Sequence, residues 1–151
     1  MSEEKLAKLG IILPIPPKPA GSYTPVILSR GMAFVSGQIP VQDGKVIFSG
    51  KVPTEKSLEE AQQAARLCAI NILAQLKSTL GSLDRITKIV RVSGFVNSSE
   101  GFTDHPKVIN AASDLFYEIF GEKGKHTRIA VGVSSLPLNS TVEIDAIVEI
   151  D

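Results

Sequence analysis

The sequence predicts an α+β fold: one mixed β-sheet with two long helices packed on one face. Three observations point there. Two stretches, from Ser57 to Leu80 and from Pro106 to Phe120, carry apolar residues at helical spacing. The segments around them are short, rich in β-branched residues and bounded by turn signals. The chain has 151 residues, 43% hydrophobic and 21% charged, the size and balance of one ordinary folded domain.

Taken in order, Glu3–Leu9 reads as a short helix. The proline-rich run Leu13–Pro19 lacks the amide donors that regular structure needs, so it should be an extended arm. The division expected is an arm of residues 1–19 and a domain of residues 20–151. Pro25–Ser29 and Met32–Gln38 are apolar runs split by Arg30-Gly31, which predicts a β-hairpin. A second turn signal, Asp43-Gly44, introduces a third strand, Lys45–Ser49. Ser57 with Glu60 forms a capping-box pattern, in which hydroxyl and carboxylate each satisfy an orphan amide at a helix start. From there Leu58, Ala61, Ala65, Cys68, Ile72, Leu76 and Leu80 define an apolar helix face that stops at Gly81.

Ile86–Val96 is β-branched and should be a long strand, with Gly94 marking a bulge or a close backbone approach. Pro106 suits the first turn of a second helix capped by Thr103 or Asp104, with Val108, Ala112, Leu115, Phe116 and Ile119 on its buried side. Strands near His126–Ser134 and Thr141–Ile150 close the chain, giving the order β-β-β-α-β-α-β-β. In the last strand Val142, Ile144, Ala146 and Val148 alternate with Glu143, Asp145, Ile147 and Glu149. One sheet face is therefore expected to meet the helices, and the other to be polar or covered by further subunits.

Composition excludes several function classes. Sixteen basic residues against sixteen acidic ones, interspersed along the chain, disfavour nucleic acid as a partner. A lone cysteine, Cys68, in an apolar helical setting reads as a buried structural thiol and permits no intramolecular disulfide. Two histidines, His105 and His126, are too few for a histidine-dominated metal site, and capping or surface roles are expected for both. No metal and no cofactor is expected. The N-terminus lacks a basic start followed by an apolar stretch, and no apolar run approaches the length of a membrane helix, so a cytoplasmic location is expected.

Arg128 stands in an otherwise apolar strand, where an isolated cation must find an anion or reach water. Its planar fork matches a carboxylate through two parallel hydrogen bonds, so a small organic acid is one partner; an ion pair with Glu143 or Asp145 on a neighbouring strand is the other. Glu143 is either a proton-transferring carboxylate beside a ligand or a strand-face glutamate. Tyr23, Ser36 and Asn110 could orient a polar ligand or satisfy backbone groups near turns and helix starts.

The segments Phe34-Val35-Ser36-Gly37-Gln38-Ile39-Pro40 and Val108-Ile109-Asn110-Ala111 carry a resemblance, as does the run from Arg128 through Leu136-Pro137 to Val142-Glu143-Ile144-Asp145-Ala146-Ile147. Across roughly residues 20–150 the sequence resembles the RidA/YjgF family, formerly given endoribonuclease or translation-inhibitor names. The resemblance implies a chorismate-mutase-like homotrimer whose sheets form a central barrel, with a ligand cleft at each subunit interface. It implies hydrolysis of reactive enamines and imines such as 2-aminoacrylate to 2-keto acids and ammonia. Arg128 would then bind the substrate carboxylate and Glu143 would direct water, with Tyr23, Ser36, Gly37, Asn110 and Ala130 lining the pocket. A cysteine frequent in the family two residues after the arginine is replaced here by Ala130, and the N-terminal arm is an addition. Both mark a divergent subgroup. Two other functions remain open at this point: a carboxylate-binding or protein-interaction module without turnover, and RNA cleavage or translation inhibition.

Overall fold

A computed structural model describes residues 1–16 and 21–151. The expected proline-rich arm lies outside the described residues from Pro17 to its end. The helices are α1 (Ser2–Lys8), α2 (Leu58–Leu80) and α3 (His105–Phe120). The strands are β1 (Val26–Ser29), β2 (Met32–Gln38), β3 (Val41–Gln42), β4 (Lys45–Val46), β5 (Ile86–Asn97), β6 (Thr127–Val133) and β7 (Val142–Ile150). Five strands form one sheet in the order β1-β2-β7-β5-β6, with β5 and β6 parallel and every other neighbouring pair antiparallel. The single mixed α+β domain is the architecture expected.

Both early turns close as the sequence predicts. Arg30-Gly31 and Asp43-Gly44 each have two consecutive positive φ angles, the conformation whose twist suits a two-residue hairpin. The strand after the second turn is the exception. Lys45–Val46 pairs only with Val41–Gln42 in a separate two-stranded ribbon, so Lys45–Ser49 is not a third strand of the main sheet. Beyond Val46 the backbone turns away: Phe48 O accepts from Thr141 N at 3.1 Å, and Ser49 makes only an isolated bridge to Ser140.

The capping box forms in full: Ser57 Oγ accepts from Glu60 N and Glu60 Oε1 accepts from Ser57 N, both at 3.1 Å. Asp104 occupies the cap of α3 but makes no side-chain bond there; Pro106 in the first turn removes one of the donors a cap would serve. Helix α2 lies across β2 and β7, and α3 across β5 and β6, on the same face. Their apolar sides and Val92, Val96, Val142, Ile144, Ala146 and Val148 form a dry core. Gly94 marks a close approach: a Cβ there would strike the side chain of Ile109 on α3. Cys68 is fully buried, its thiol over Val142 O, and burial pushes its pKa well up.

The N-terminal helix is bound to this unit. Leu6 and Ile11 join the core, Ser2 binds Asp84 through both its amide and its hydroxyl at 3.0 Å, and Glu3 pairs with Lys77 at 2.9 Å. Residues 11–16 have no regular structure, and Ile12 and Ile15 project into solvent. No helix among the described residues is long and apolar enough to cross a membrane.

Candidate functional site

Register and burial decide which way each candidate points. On β6, Arg128, Ala130 and Gly132 stand beside Val92, Gly94 and Val96 of β5, on the side of the helices. On β7, Glu143 stands beside Phe95 of β5, which in turn stands beside Val131, and Val131 is 40% exposed on the opposite side. Arg128 and Glu143 therefore lie on opposite faces of the sheet. They are also separated by β5, two strand spacings or about 10 Å, and by a three-residue offset along the strands of about another 10 Å.

This geometry corrects one alternative read from the sequence. Arg128 makes no ion pair with Glu143 or Asp145, because β6 pairs with β5 at the sheet edge and never neighbours β7. Its partners are on α3. Nη1 donates to Asn110 Oδ1 at 2.9 Å and to Ser113 Oγ at 3.1 Å. Nε and Nη2 have no partner among the described residues, so one edge of the guanidinium carries two free parallel donors. A shallow pocket of about 440 Å³ opens beside it, lined by Asn110, Ser113, Tyr117, Lys125 and His126 among others.

The remaining candidates gather at Glu143. Strand β2 holds a bulge at Ser36 and Gly37, two residues opposite Asp145 alone, since Val35 pairs with Ala146 and Gln38 with Ile144. The bulge brings the Gly37 backbone against Glu143: any Cβ at position 37 would overlap the carboxylate. Ser36 Oγ donates to Thr24 O at 2.8 Å and Ser36 N to Pro25 O at 2.8 Å, which fixes the bulge to the segment carrying Tyr23. Tyr23 itself is 57% exposed. Burial, and then the charge of Asp145 on the same strand face, raise the Glu143 carboxyl above its ordinary range.

The candidates thus form two half-sites. One holds Arg128, Asn110 and Ala130; the other holds Glu143 with Gly37 against it and Ser36 beside it in the bulge, and Tyr23 joins it only through the segment that Ser36 binds. Ser113 and His126 extend the first, and sequence reasoning assigned no site role to either. A signal existed for Ser113, which lies three residues after Asn110 and so shares its helix face, a polar pair on a helix otherwise apolar toward the sheet. Among the described residues no group of three or more His, Cys, Asp or Glu is placed to hold a metal.

The sequence pattern of the family described as "YjgF/chorismate mutase-like, putative endoribonuclease" matches residues 3–150. The chain belongs to this family. Within and around the YjgF family, it is 42% identical to Protein TCP17 of Trypanosoma cruzi over 97% of this chain and 92% of that protein. It is 29% identical to a 2-iminobutanoate/2-iminopropanoate deaminase of Dermatophagoides farinae, over 93% of this chain and 95% of that one. Among solved structures, Atu1372 of Agrobacterium tumefaciens, described as of unknown function, superposes with a TM-score of 0.93 at 46% identity. That match covers 99% of this chain and 92% of the other.

Proposed function

We propose that this protein hydrolyses small carboxylate-bearing enamines and imines, of the 2-aminoacrylate kind, to 2-keto acids and ammonia, in clefts assembled between copies of the chain. The observation that carries the reading is the guanidinium of Arg128, anchored by one nitrogen to α3 with its other edge free. Such an edge accepts a carboxylate through two charge-assisted bonds. The deaminase of Dermatophagoides farinae supports the choice of reaction.

The separation of the half-sites supports the assembly. No small imine can touch Arg128 and Glu143 of one chain, since they face opposite ways. The helix-free face of the sheet carries exposed Ile27, Phe34, Ile129 and Val131, and β6 leaves one edge unpaired. Both need cover. A homotrimer whose sheets close into a barrel would supply it, setting Arg128 of one copy beside Glu143 of the next.

In such a cleft Arg128 holds the carboxylate and fixes the C=N carbon within reach of a water on Glu143. The enamine first takes a proton from water at its terminal carbon and so becomes the protonated imine. The Glu143 carboxylate then takes a proton as the water oxygen bonds to carbon and the C=N pair moves onto nitrogen, giving a neutral carbinolamine. Glu143 returns that proton to nitrogen, the C–N bond breaks to release ammonia as the hydroxyl oxygen forms C=O, and the hydroxyl proton passes back to the Glu143 carboxylate, leaving the 2-keto acid. A carboxyl whose pKa is raised toward neutrality serves these transfers better than an ordinary one.

The test is 2-keto acid formation from 2-aminoacrylate generated in situ by a dehydratase. Wild type should accelerate it, and Arg128→Ala should lose about ten- to a hundredfold in kcat/KM, the worth of a charge-assisted contact. Equal rates in wild type and variant would remove Arg128 from the reaction. Carboxylate binding without acceleration would select a module that binds metabolites and does not turn them over.

A further inference from the structure

Arg128 is tethered by more than its neighbour on α3. His126 Nδ1 lies 2.6 Å from Gly124 O, and Nε2 lies 2.8 Å from Ser113 Oγ. A carbonyl oxygen only accepts, so Nδ1 carries a hydrogen. In the neutral ring Nε2 then holds a lone pair, which can accept only the Ser113 hydroxyl proton. That leaves the lone pairs of Ser113 Oγ to face Arg128 Nη1, which donates to it at 3.1 Å. With Asn110 taking the second Nη1 hydrogen, both protons on that nitrogen are committed. Burial lowers the pKa of the ring below its ordinary value, the Gly124 bond works against that, and the charge of Arg128 adds to it. Phe116 meets it edge-on with ring centroids 6.1 Å apart.

We infer that Ser113 and His126 are positioning residues for the Arg128 anchor. They form a relay from the Gly124 carbonyl through the imidazole and the hydroxyl to one guanidinium nitrogen, and it holds the opposite edge of the fork toward the ligand. The inference rests on Arg128 being the carboxylate anchor. A long side chain with no such tether loses rotamer freedom when it binds; the relay removes that loss beforehand. It also couples the anchor to a titrating ring. The charged groups around His126 are Arg128 on β6, Asp114 on α3, and Lys125, itself paired with Glu122 at 3.0 Å; Tyr117 completes the wall. A carboxylate on Arg128 offsets the positive charge that opposes protonation of His126, so ligand binding and acidification should assist each other.

The experiment measures equilibrium binding of 2-oxobutanoate, an unreactive carboxylate, from pH 5 to 8, alongside imine hydrolysis. Wild type, Arg128→Ala, Ser113→Ala, Ser113→Thr, His126→Phe and His126→Gln are compared, with circular dichroism checking that each is folded. Ser113→Ala should weaken binding about tenfold, the loss of one bond to a charged donor, and Ser113→Thr should restore it. His126→Phe should weaken binding too, whereas His126→Gln can present an amide oxygen where Nε2 stands and should rescue most of it. Wild-type affinity should rise with falling pH as His126 protonates, by at most roughly threefold, the attraction of two charges several ångströms apart in a wet site. His126→Gln should lose most of that rise. Folded Ser113→Ala and His126→Phe proteins that bind like wild type at every pH overturn the relay while leaving the anchor intact. Wild type that binds no carboxylate overturns both, and binding without hydrolysis overturns the hydrolase reading alone.

Discussion

On β6, β7 and the part of β5 from Val92 onward the residues facing the helices and those facing away alternate one by one, yet the two sets have different fates. Toward the helices, Val92, Val96, Val142, Ile144 and Val148 are fully buried within a single chain. Away from them, Ile129 and Val131 are about two-fifths exposed, Phe34 is 44% exposed, and Glu143 and Asp145 share the surface. The first set is satisfied by its own chain. The second mixes exposed apolar residues with two carboxylates, which is the character the proposed inter-subunit cleft would require of its wall.

Truncation should expose that contrast most strongly. Ile144→Ala removes fully buried atoms and should cost about 2–5 kcal/mol in urea unfolding. Ile129→Ala, partly exposed, should cost less than about 1 kcal/mol if the chain folds alone. Equal losses would mean that the open face is as buried in solution as the core, which is the signature of a barrel closed by other subunits. Phe34→Asp then sharpens the result: analytical ultracentrifugation should show the assembly dissociating while circular dichroism shows the chain still folded.

The core side was the more legible of the two. Capping box, helical spacing and strand alternation are local patterns, and each local choice agreed with the fold around it. The third strand failed because a turn signal locates a hairpin without saying how far its arms run; here they run two residues before Phe48 is drawn to Thr141. The site was legible as residue types and not as an arrangement. Arg128 in an apolar strand announced a cation needing a partner, but only the parallel pairing of β5 with β6 puts β7 out of its reach. Likewise nothing in the spacing of Ser113 and His126 says that a turn through Gly121–Gly124 folds one back on the other.

The bulge at Gly37 gives the next effect. Gly37→Ala places a methyl where the Glu143 carboxylate sits, and the flexible glutamate is the group that must move. Stability should change by less than about 1 kcal/mol, because the atom displaced is the end of a side chain and not backbone. Imine hydrolysis should fall about ten- to a hundredfold, the usual consequence of shifting a reacting group by about an ångström. A variant that loses stability and keeps its rate would separate the bulge from the chemistry.

The smallest effect expected is on stability at Glu143 itself, and its sign distinguishes the two faces. Burial first, and Asp145 second, raise its folded pKa above the ordinary 4.5. The folded state therefore holds this proton more readily than the unfolded chain. The stability so contributed is present in full below pH 4.5 and is lost as pH rises through the folded pKa. Glu143→Gln keeps the shape and removes the titration, so relative to wild type it should gain in Tm between pH 4 and pH 7 while losing imine hydrolysis. A buried carboxylate that served the fold would show the reverse. If Glu143→Gln is instead less stable at pH 7, the carboxylate has found a donor across the open face, and the partner that covers the face supplies it.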